Sequence, residues 1–374
     1  VNRKFFLVAK PQLCNAIIMK KNYFLFSIFC FLFLFGCSNK PSPEKLPLSV
    51  KATFPLLQES PQFVMYMNFK AMRTSGFWKE NISDSILNAE RNFGNLLYTF
   101  KLATGASISG GIDELFFSNA WLGENTIVLK GVFDKAKLDN YISKDTLFQK
   151  TVRPDGTNIY MYNVNELFFF FKDNYTLCAS NYMKRIDEMV AVTDTSVNSG
   201  LMKNQNLLNA IESTVYKENI WMISTEKAFI RGILTNFMQT GPSESTTGKF
   251  EITDSTKVET DSVNRTEDKI LNDMYKNINT FILSGKMKDD LKFVIQFECI
   301  DNKNAETFEK LLNGMIAIVK LSSNIKKEKK STATENILDN LVIKSYDNSL
   351  QISVAINQKN INDFRSNTLL KKPN

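Results

Sequence analysis

The chain contains no histidine among its 374 residues, and this absence excludes several kinds of functional site. A Ser-His-Asp triad, a Cys-His dyad, a histidine-ligated zinc or haem, and a histidine acid or base all require that side chain. Cysteine is scarce as well, with five residues. Apolar residues make up 43% and charged residues 23% of the chain. This composition is that of a globular protein, not of a disordered or multi-span membrane protein.

The N-terminal region has the pattern of a targeting segment. Lys20 and Lys21 follow Met19, and the thirteen residues from 23 to 35 are mostly Phe, Leu and Ile. A basic start followed by an apolar run of this length is typical of a secretory signal, and the run is too short for a membrane-spanning helix. We expect translation to begin at Met19, with residues 1–18 preceding the true start.

The apolar run ends in Leu34-Phe35-Gly36-Cys37, which resembles the lipobox of bacterial lipoproteins. The resemblance implies that residues 1–36 are a signal peptide and that Cys37 is acylated and becomes the first mature residue. In the sorting rule of enteric lipoproteins, an aspartate directly after the acylated cysteine retains the protein at the inner membrane. Ser38 stands at that position, so the resemblance implies the outer membrane, with the protein facing the periplasm. The alternative is a buried apolar helix that ends at an unrelated cysteine. Residues 37–53 begin with a polar, proline-bearing stretch and are predicted to be a tether.

The net charge depends on whether this segment is removed. Residues 1–36 hold five basic residues and no acidic one, so their loss lowers the formal net charge from +7 to +2. Because nucleic-acid binding needs a basic face to contact phosphates, the near-neutral mature chain argues against it. The dense basic run at 326–330 lies between a predicted helix and a predicted strand, and a solvated loop explains it.

Two halves of the mature chain, 54–213 and 214–374, show one order of predicted elements. Each half gives a strand, a helix, two paired strands, a helix, two paired strands and a helix. Asp173-Asn174 and Asp347-Asn348 each follow the opening leucine of a strand by six residues. Asx pairs favour hairpin turns. These matches predict an internal duplication, with convergent hairpin chemistry as the alternative.

The predicted fold class is α+β, with two similar lobes of mainly antiparallel sheet and helices on one face. The strand-helix-strand-strand-helix-strand order is that of a ferredoxin-like unit, and hairpin-length links favour antiparallel pairing. Leu167–Phe171 is apolar without alternation, which predicts a strand buried on both faces. Residues 240–269 are dense in Ser, Thr, Asp and Glu, and we predict a disordered insertion within the second lobe.

Motifs for catalysis do not rise above chance. A Ser-x-x-Lys pattern, which works without histidine in penicillin-binding enzymes, occurs at Ser224/Lys227 between a predicted strand and a predicted helix. A helix cap by Ser224 or Thr225 explains it more simply. The glycine-rich stretch 105–111 follows a helix and lacks the lysine of a phosphate-binding loop, so it predicts a helix stop and a turn. We predict no catalytic residue, no cofactor and no metal site.

Two further groups of residues have structural and functional interpretations. Cys178 and Cys299 lie in apolar, strand-like runs; two buried free thiols are expected, although the predicted compartment permits a disulfide. Several aromatic side chains could line an apolar pocket, and core packing is the alternative explanation for them. These residues are Tyr160, Tyr162, Phe168 to Phe171 and Trp221.

One resemblance covers much of the mature chain. Phe54-Pro-Leu-Leu-Gln-Glu-Ser-Pro61, the strand ending at Asn68 and the following Phe77-Trp78 resemble the opening of uncharacterised bacterial envelope lipoproteins of a Bacteroidota-like family. The resemblance implies fold and location, and transfers no catalytic residue. The leading hypothesis is a membrane-anchored, non-enzymatic module that binds or scaffolds a partner protein, a lipid or a glycan. The alternative is a hydrolase or transferase of envelope polymers with a Ser/Lys or carboxylate site.

Overall fold

The computed structural model describes residues 40–82, 94–120, 123–164, 166–193, 195–196, 198–239, 274–325 and 337–369. Pro43–Asn374 form one compact unit, and Val1–Ser42 are a separate unit. Cys37, the predicted signal segment and the predicted insertion at 240–269 all lie outside the described residues.

Twelve strands and ten helices are named below. The strands are β1 (Phe63–Asn68), β2 (Ile112–Asn119), β3 (Asn125–Gly131), β4 (Phe148–Val152), β5 (Asn158–Tyr162), β6 (Leu167–Phe171), β7 (Thr176–Ser180), β8 (Ile220–Ser224), β9 (Ile278–Met287), β10 (Leu291–Cys299), β11 (Val342–Tyr346) and β12 (Ser349–Ile356). The helices are α1 (Leu48–Lys51), α2 (Phe69–Thr74), α3 (Gly76–Asn81), α4 (Gly94–Thr104), α5 (Lys135–Ile142), α6 (Met183–Ala191), α7 (Gln205–Ser213), α8 (Lys227–Gln239), α9 (Asn302–Ile325) and α10 (Gln358–Leu369).

All twelve strands belong to one sheet in the order β11-β12-β10-β9-β8-β1-β2-β3-β7-β6-β5-β4. Every strand pair among the described residues is antiparallel, which confirms the α+β class. The two halves meet at β1 and β8, where Met65 lies opposite Met222 and Tyr66 opposite Trp221. The predicted lobes therefore share a single sheet.

The strand order repeats about the β1–β8 pair. On one side it runs β1-β2-β3-β7-β6, and on the other β8-β9-β10-β12-β11. The two Asp-Asn pairs lie in the equivalent β6–β7 and β11–β12 turns, where Asp347 adopts a left-handed φ of 52°. This repeat agrees with the predicted duplication. The pairing nevertheless differs from a ferredoxin-like split unit, because the first and second strands of each half are antiparallel neighbours.

Helices lie on both faces of the sheet, which corrects the prediction of one face. We call the face that carries Met65 and Met67 the front, and the face that carries Val64 and Tyr66 the back, since side chains alternate along a strand. Helices α2 to α5, α8 and α9 pack on the front. The back of the central strands packs on α6, α7 and the segment 50–57. Both sets of helices have an apolar side, so both faces are covered.

The body of the protein begins earlier than the predicted tether allows. The sequence predicts a tether over residues 37–53. Within the described part of that range, Val50 is fully buried and the backbone N–H of Glu44 donates to the carbonyl of Val215. The apolar side chain of Val50 joins the back core beside Phe54. Strand β4 and helix α7 were also not predicted. Strand β4 is an edge strand with four exposed residues, so it lacks the apolar alternation of a half-buried strand.

Candidate functional site

A cavity of about 260 Å³ lies on the front of the first half of the sheet. Its floor is formed by β1, β2, β3, β6 and β7, and its roof by α4, α5 and the loop that follows α4. The nineteen lining residues are Met65, Phe69, Thr99, Phe100, Ala103, Thr104, Ile108, Ile112, Leu115, Phe117, Ile127, Leu129, Leu138, Phe148, Tyr162, Leu167, Phe169, Leu177 and Ala179.

The strand register makes the floor apolar. Leu115 lies opposite Leu129, which lies opposite Leu177, and these three side chains share the front face. Two residues further along each strand, Phe117 and Ile127 also lie opposite each other on the front face. Because each strand alternates, one apolar row after another points into the cavity, while the neighbouring residues complete the back core.

The roof is placed by local helix signals. Helix α4 ends at Thr104, and the φ of 73° at the following Gly105 suits a residue without a side chain. The hydroxyl of Thr104 donates to the carbonyl of Phe100 at 2.8 Å, so its polarity is satisfied within the helix. The carboxylate of Asp134 accepts from the N–H of Lys137 at 2.9 Å and caps α5, which places Leu138 over the cavity.

The second half fills the equivalent space with side chains. Helix α5 has eight residues, whereas its counterpart α9 has twenty-four. Phe308 and Leu312 of α9 are buried against the front of β9 and β10, beside Phe281 and Phe297. The short α5 cannot cover the same area of the first half. We attribute the cavity to this difference in helix length.

Arg73 of α2 holds the loop at the rim of the cavity. Its guanidinium donates to the carbonyl of Ile108 at 2.9 Å and to that of Ile112 at 2.6 Å, and both residues line the cavity. The same side chain pairs with the carboxylate of Asp113 at 2.8 Å. The left-handed φ of 98° at Gly111 lets this loop fold back, so that Val132 donates to its carbonyl at 2.8 Å.

The chemistry of the cavity is that of an apolar binding site. None of the described residues that line it is charged, and the hydroxyls of Thr99, Thr104 and Tyr162 are its side-chain polar groups. Such a surface excludes water and offers little to orient a polar substrate. Of the aromatic residues considered for a pocket, Tyr162 and Phe169 line the cavity, whereas Phe170 and Trp221 are buried in the back core.

A second cavity of about 500 Å³ lies on the back and is more polar. Two of its three lysines, Lys130 and Lys172, are already engaged by main-chain carbonyls. Lys130 donates to Ser49 at 2.8 Å, and Lys172 donates to Val190 at 2.9 Å. Burial lowers the pKa of Lys130, although the carboxylate of Glu114 opposes this shift. These amines hold the segment around Ser49 and the end of α6 in place.

The Ser-x-x-Lys pattern at Ser224/Lys227 is not arranged as a catalytic dyad. The buried hydroxyl of Ser224 donates to the carbonyl of Gln62 and accepts from the N–H of Glu226 at 3.1 Å. The ammonium of Lys227 donates to the carbonyls of Lys276 and Ile278. Each group therefore binds backbone. Ser224 accepts from the N–H of Glu226, which precedes the first residue of α8, so it is not the helix cap that the sequence predicted.

The two cysteines are buried and free, which confirms the prediction. Cys178 lies on the back of β7, and Cys299 lies at the end of β10 beside Ala305 and Phe308. Burial raises the pKa of each thiol to about 12. Neither thiol lines either of the two cavities.

Comparison with known proteins gives only distant structural neighbours. No family model matches the chain, and no curated protein is similar to it at a significant level. Crystal form I of TP0453 is 9% identical, with a TM-score of 0.44, and the match covers 84% of this chain and 96% of that one. Crystal form IV of TP0453 is 8% identical, with a TM-score of 0.42 and coverages of 85% and 96%. Among the described residues, no helix is both long and apolar enough to cross a membrane.

Proposed function

We propose that the protein is a lipoprotein of the bacterial envelope that binds a hydrocarbon chain in the front cavity and acts without catalysis. The cavity and its apolar lining support this proposal. An engineered apolar cavity of about 150 Å³ stays dry and binds benzene. On that scale, the 260 Å³ of this cavity accommodates about ten carbon atoms.

The lining favours a lipid over the other ligands that the sequence left open. A glycan carries many hydroxyls, and each would lose hydrogen bonds to water against a wall of aliphatic and aromatic side chains. A folded partner protein is too large for a space enclosed by α4 and α5. A hydrocarbon chain matches both the volume and the absence of charge.

The proposed location rests on the sequence. An acylated Cys37 would attach the protein to the membrane, where lipid chains are abundant, and the lipobox resemblance favours the outer membrane facing the periplasm. One acyl chain gives only marginal membrane binding, and two or more give stable anchoring. Mass spectrometry of the protein purified from its own membranes tests whether Cys37 is acylated and is the first residue of the mature chain. A chain that retains residues before Cys37 would contradict the anchor and leave the cavity unaffected.

Photo-cross-linking tests the cavity itself. Decanoic acid with a diazirine at its terminal carbon is added to membranes that contain the full-length protein, which is then irradiated, digested and mapped. We expect labelled peptides from α4, β2 and β3. Ala103→Phe fills the cavity from α4, and its matched control Leu102→Phe lies on the exposed side of the same helix.

The comparison between these two variants decides the proposal. We expect Ala103→Phe to reduce labelling at least about tenfold, since it occupies the space of several methylene groups, and Leu102→Phe to leave it unchanged. Equal protease resistance of the two variants establishes that both are folded. Labelling spread over surface peptides, or equal in the two variants, would sink the proposal.

A further inference from the structure

A continuous row of apolar side chains leads out of the cavity across the middle of the sheet. Cross-strand pairing places these residues side by side on the front of six neighbouring strands, from β3 to β10. They are Ile127, Phe117, Met65, Met222, Leu283 and Ile295. The first three line the cavity, and the last three belong to the second half of the chain. The row therefore crosses the β1–β8 boundary between the repeats.

All six side chains of this row are only half-buried. Adjacent residues on the back, such as Val64 and Ile223, are fully buried. In the second half, the row packs at its edge against the core under α8 and α9 and keeps part of its surface exposed. No member of the row is polar or charged. A partly exposed apolar strip that begins inside a cavity is a surface on which a hydrocarbon chain can continue.

We infer that the ligand of the cavity is a single long acyl chain, whose distal end occupies the cavity and whose remainder lies along this row. The inference rests on the proposed function and extends it to the length and course of the chain. The carboxyl end would lie on the β10 side, since the cavity offers no charged group for it. A fatty acid, or one chain of a larger lipid, has this chemistry.

The length of the row sets the length of the chain. Neighbouring strands are about 4.8 Å apart, so the five intervals from Ile127 to Ile295 span about 24 Å. An extended chain of single bonds advances about 1.2 Å per bond, as an extended polypeptide does over its three bonds per residue. The row therefore matches about 20 bonds, whereas the cavity alone takes about ten carbon atoms.

A packed aromatic pair borders the row on one side. The rings of Phe63 and Phe229 stack with centroids 4.9 Å apart, and Phe63 also contacts Phe117 at 5.6 Å. These contacts join the front of β1 to α8, and they continue the apolar surface from one half to the other.

A helix of a partner protein is about 10 Å across with its side chains, so it does not fit into the cavity where the row begins.

Two diazirine-labelled C18 fatty acids test the course of the chain in membranes that contain the full-length protein. One carries the diazirine near the methyl end, and the other carries it near the carboxyl end. We expect the first to label α4, β2 and β3, and the second to label β8, β9 and β10. If both probes label only cavity peptides, the row is not part of the site and the inference fails.

A substitution in the row separates this inference from the proposed function. Leu283→Lys places a charge on the row, outside the cavity lining, and Ile300→Lys is its matched control at an exposed position after β10. We expect Leu283→Lys to reduce C18 labelling at least about tenfold, with decanoic acid labelling and the control unchanged. Unchanged C18 labelling would overturn the inference while the proposed function stands. If neither the decanoic acid probe nor the C18 probes label the cavity of the wild-type protein, both the inference and the proposed function are wrong.

Discussion

The buried ammonium of Lys217 donates to the main-chain carbonyl of Glu44 at 2.6 Å. It also donates to the carbonyl of Glu212 near the end of α7, at 2.6 Å. The carboxylate of Glu44 contacts the same region in turn. It accepts from the backbone N–H of Lys217 at 2.8 Å and forms an ion pair with Lys286 on β9. One side chain thus fixes the start of the body to the back of the sheet.

Replacement of Lys217 by methionine is expected to destabilise the fold. The variant keeps most of the apolar stem and removes the donor, which leaves the carbonyls of Glu44 and Glu212 without this partner. Loss of the hydrogen bonds of this charged group predicts a decrease of about 1.5–3 kcal/mol in the free energy of unfolding. Chemical denaturation followed by tryptophan fluorescence, to which the fully buried Trp221 contributes, measures this decrease. A decrease as small as that of an exposed lysine would contradict the role given to Lys217.

The same residue predicts a pH dependence. Burial lowers the pKa of Lys217 from its ordinary 10.5, against the smaller effects of Glu212 and Glu44. Between the lowered pKa and 10.5 the unfolded chain binds more protons than the folded chain, so this residue's contribution to stability rises with pH. The stability difference between wild type and Lys217→Met should therefore widen from neutral pH towards 10.5. If the stability difference instead narrows as the pH rises, the pKa of Lys217 is not lowered by burial in the folded protein.

The sequence predicts the repeated order of elements better than it predicts the cavity. The periodicity of strands and helices and the two Asp-Asn turns are local features of the sequence. They predict the elements whose strands are arranged on either side of the β1–β8 pair. The cavity depends on how far α5 extends over the sheet, which no local pattern reports. Glu44 was assigned to a tether because its partners Lys217 and Lys286 are distant in sequence. Cross-strand register likewise brings Met65 and Met222 together from different halves.

The two buried thiols are expected to be inert in the folded protein. Burial raises the pKa of Cys178 and of Cys299 to about 12, so almost no thiolate exists at neutral pH. Alkylation by iodoacetamide followed by peptide mass spectrometry should modify neither residue before denaturant is added, and both afterwards. Rapid labelling of Cys178 without denaturant would show that β7 opens under native conditions.

Ser224→Ala tests the alternative enzymatic hypothesis together with the structural role of the hydroxyl. The side chain bridges the carbonyl of Gln62 and the N–H of Glu226, so its removal should lower the free energy of unfolding by about 1–3 kcal/mol. Labelling of the cavity by the decanoic acid probe should persist. Abolition of an envelope hydrolase activity without loss of stability would instead support a Ser/Lys enzyme.

Arg73 connects the stability of the fold to the shape of the cavity. Its hydrogen bonds to the carbonyls of Ile108 and Ile112 hold two lining residues at the rim, and its ion pair with Asp113 orients the guanidinium. Arg73→Ala should lower the free energy of unfolding by about 1–3 kcal/mol. It should also reduce photolabelling by decanoic acid, because the released loop no longer closes the cavity.

Lys70 provides the matched control for Arg73. It also pairs with Asp113, but at 3.8 Å and with its side chain 72% exposed, so Lys70→Ala should change stability by less than about 1 kcal/mol. Arg73→Lys should restore only part of the labelling, since one ammonium cannot reproduce the planar fork that serves two carbonyls and a carboxylate at once. If Arg73→Ala is as stable and as well labelled as Lys70→Ala, then the loop at 105–111 keeps its position without the guanidinium.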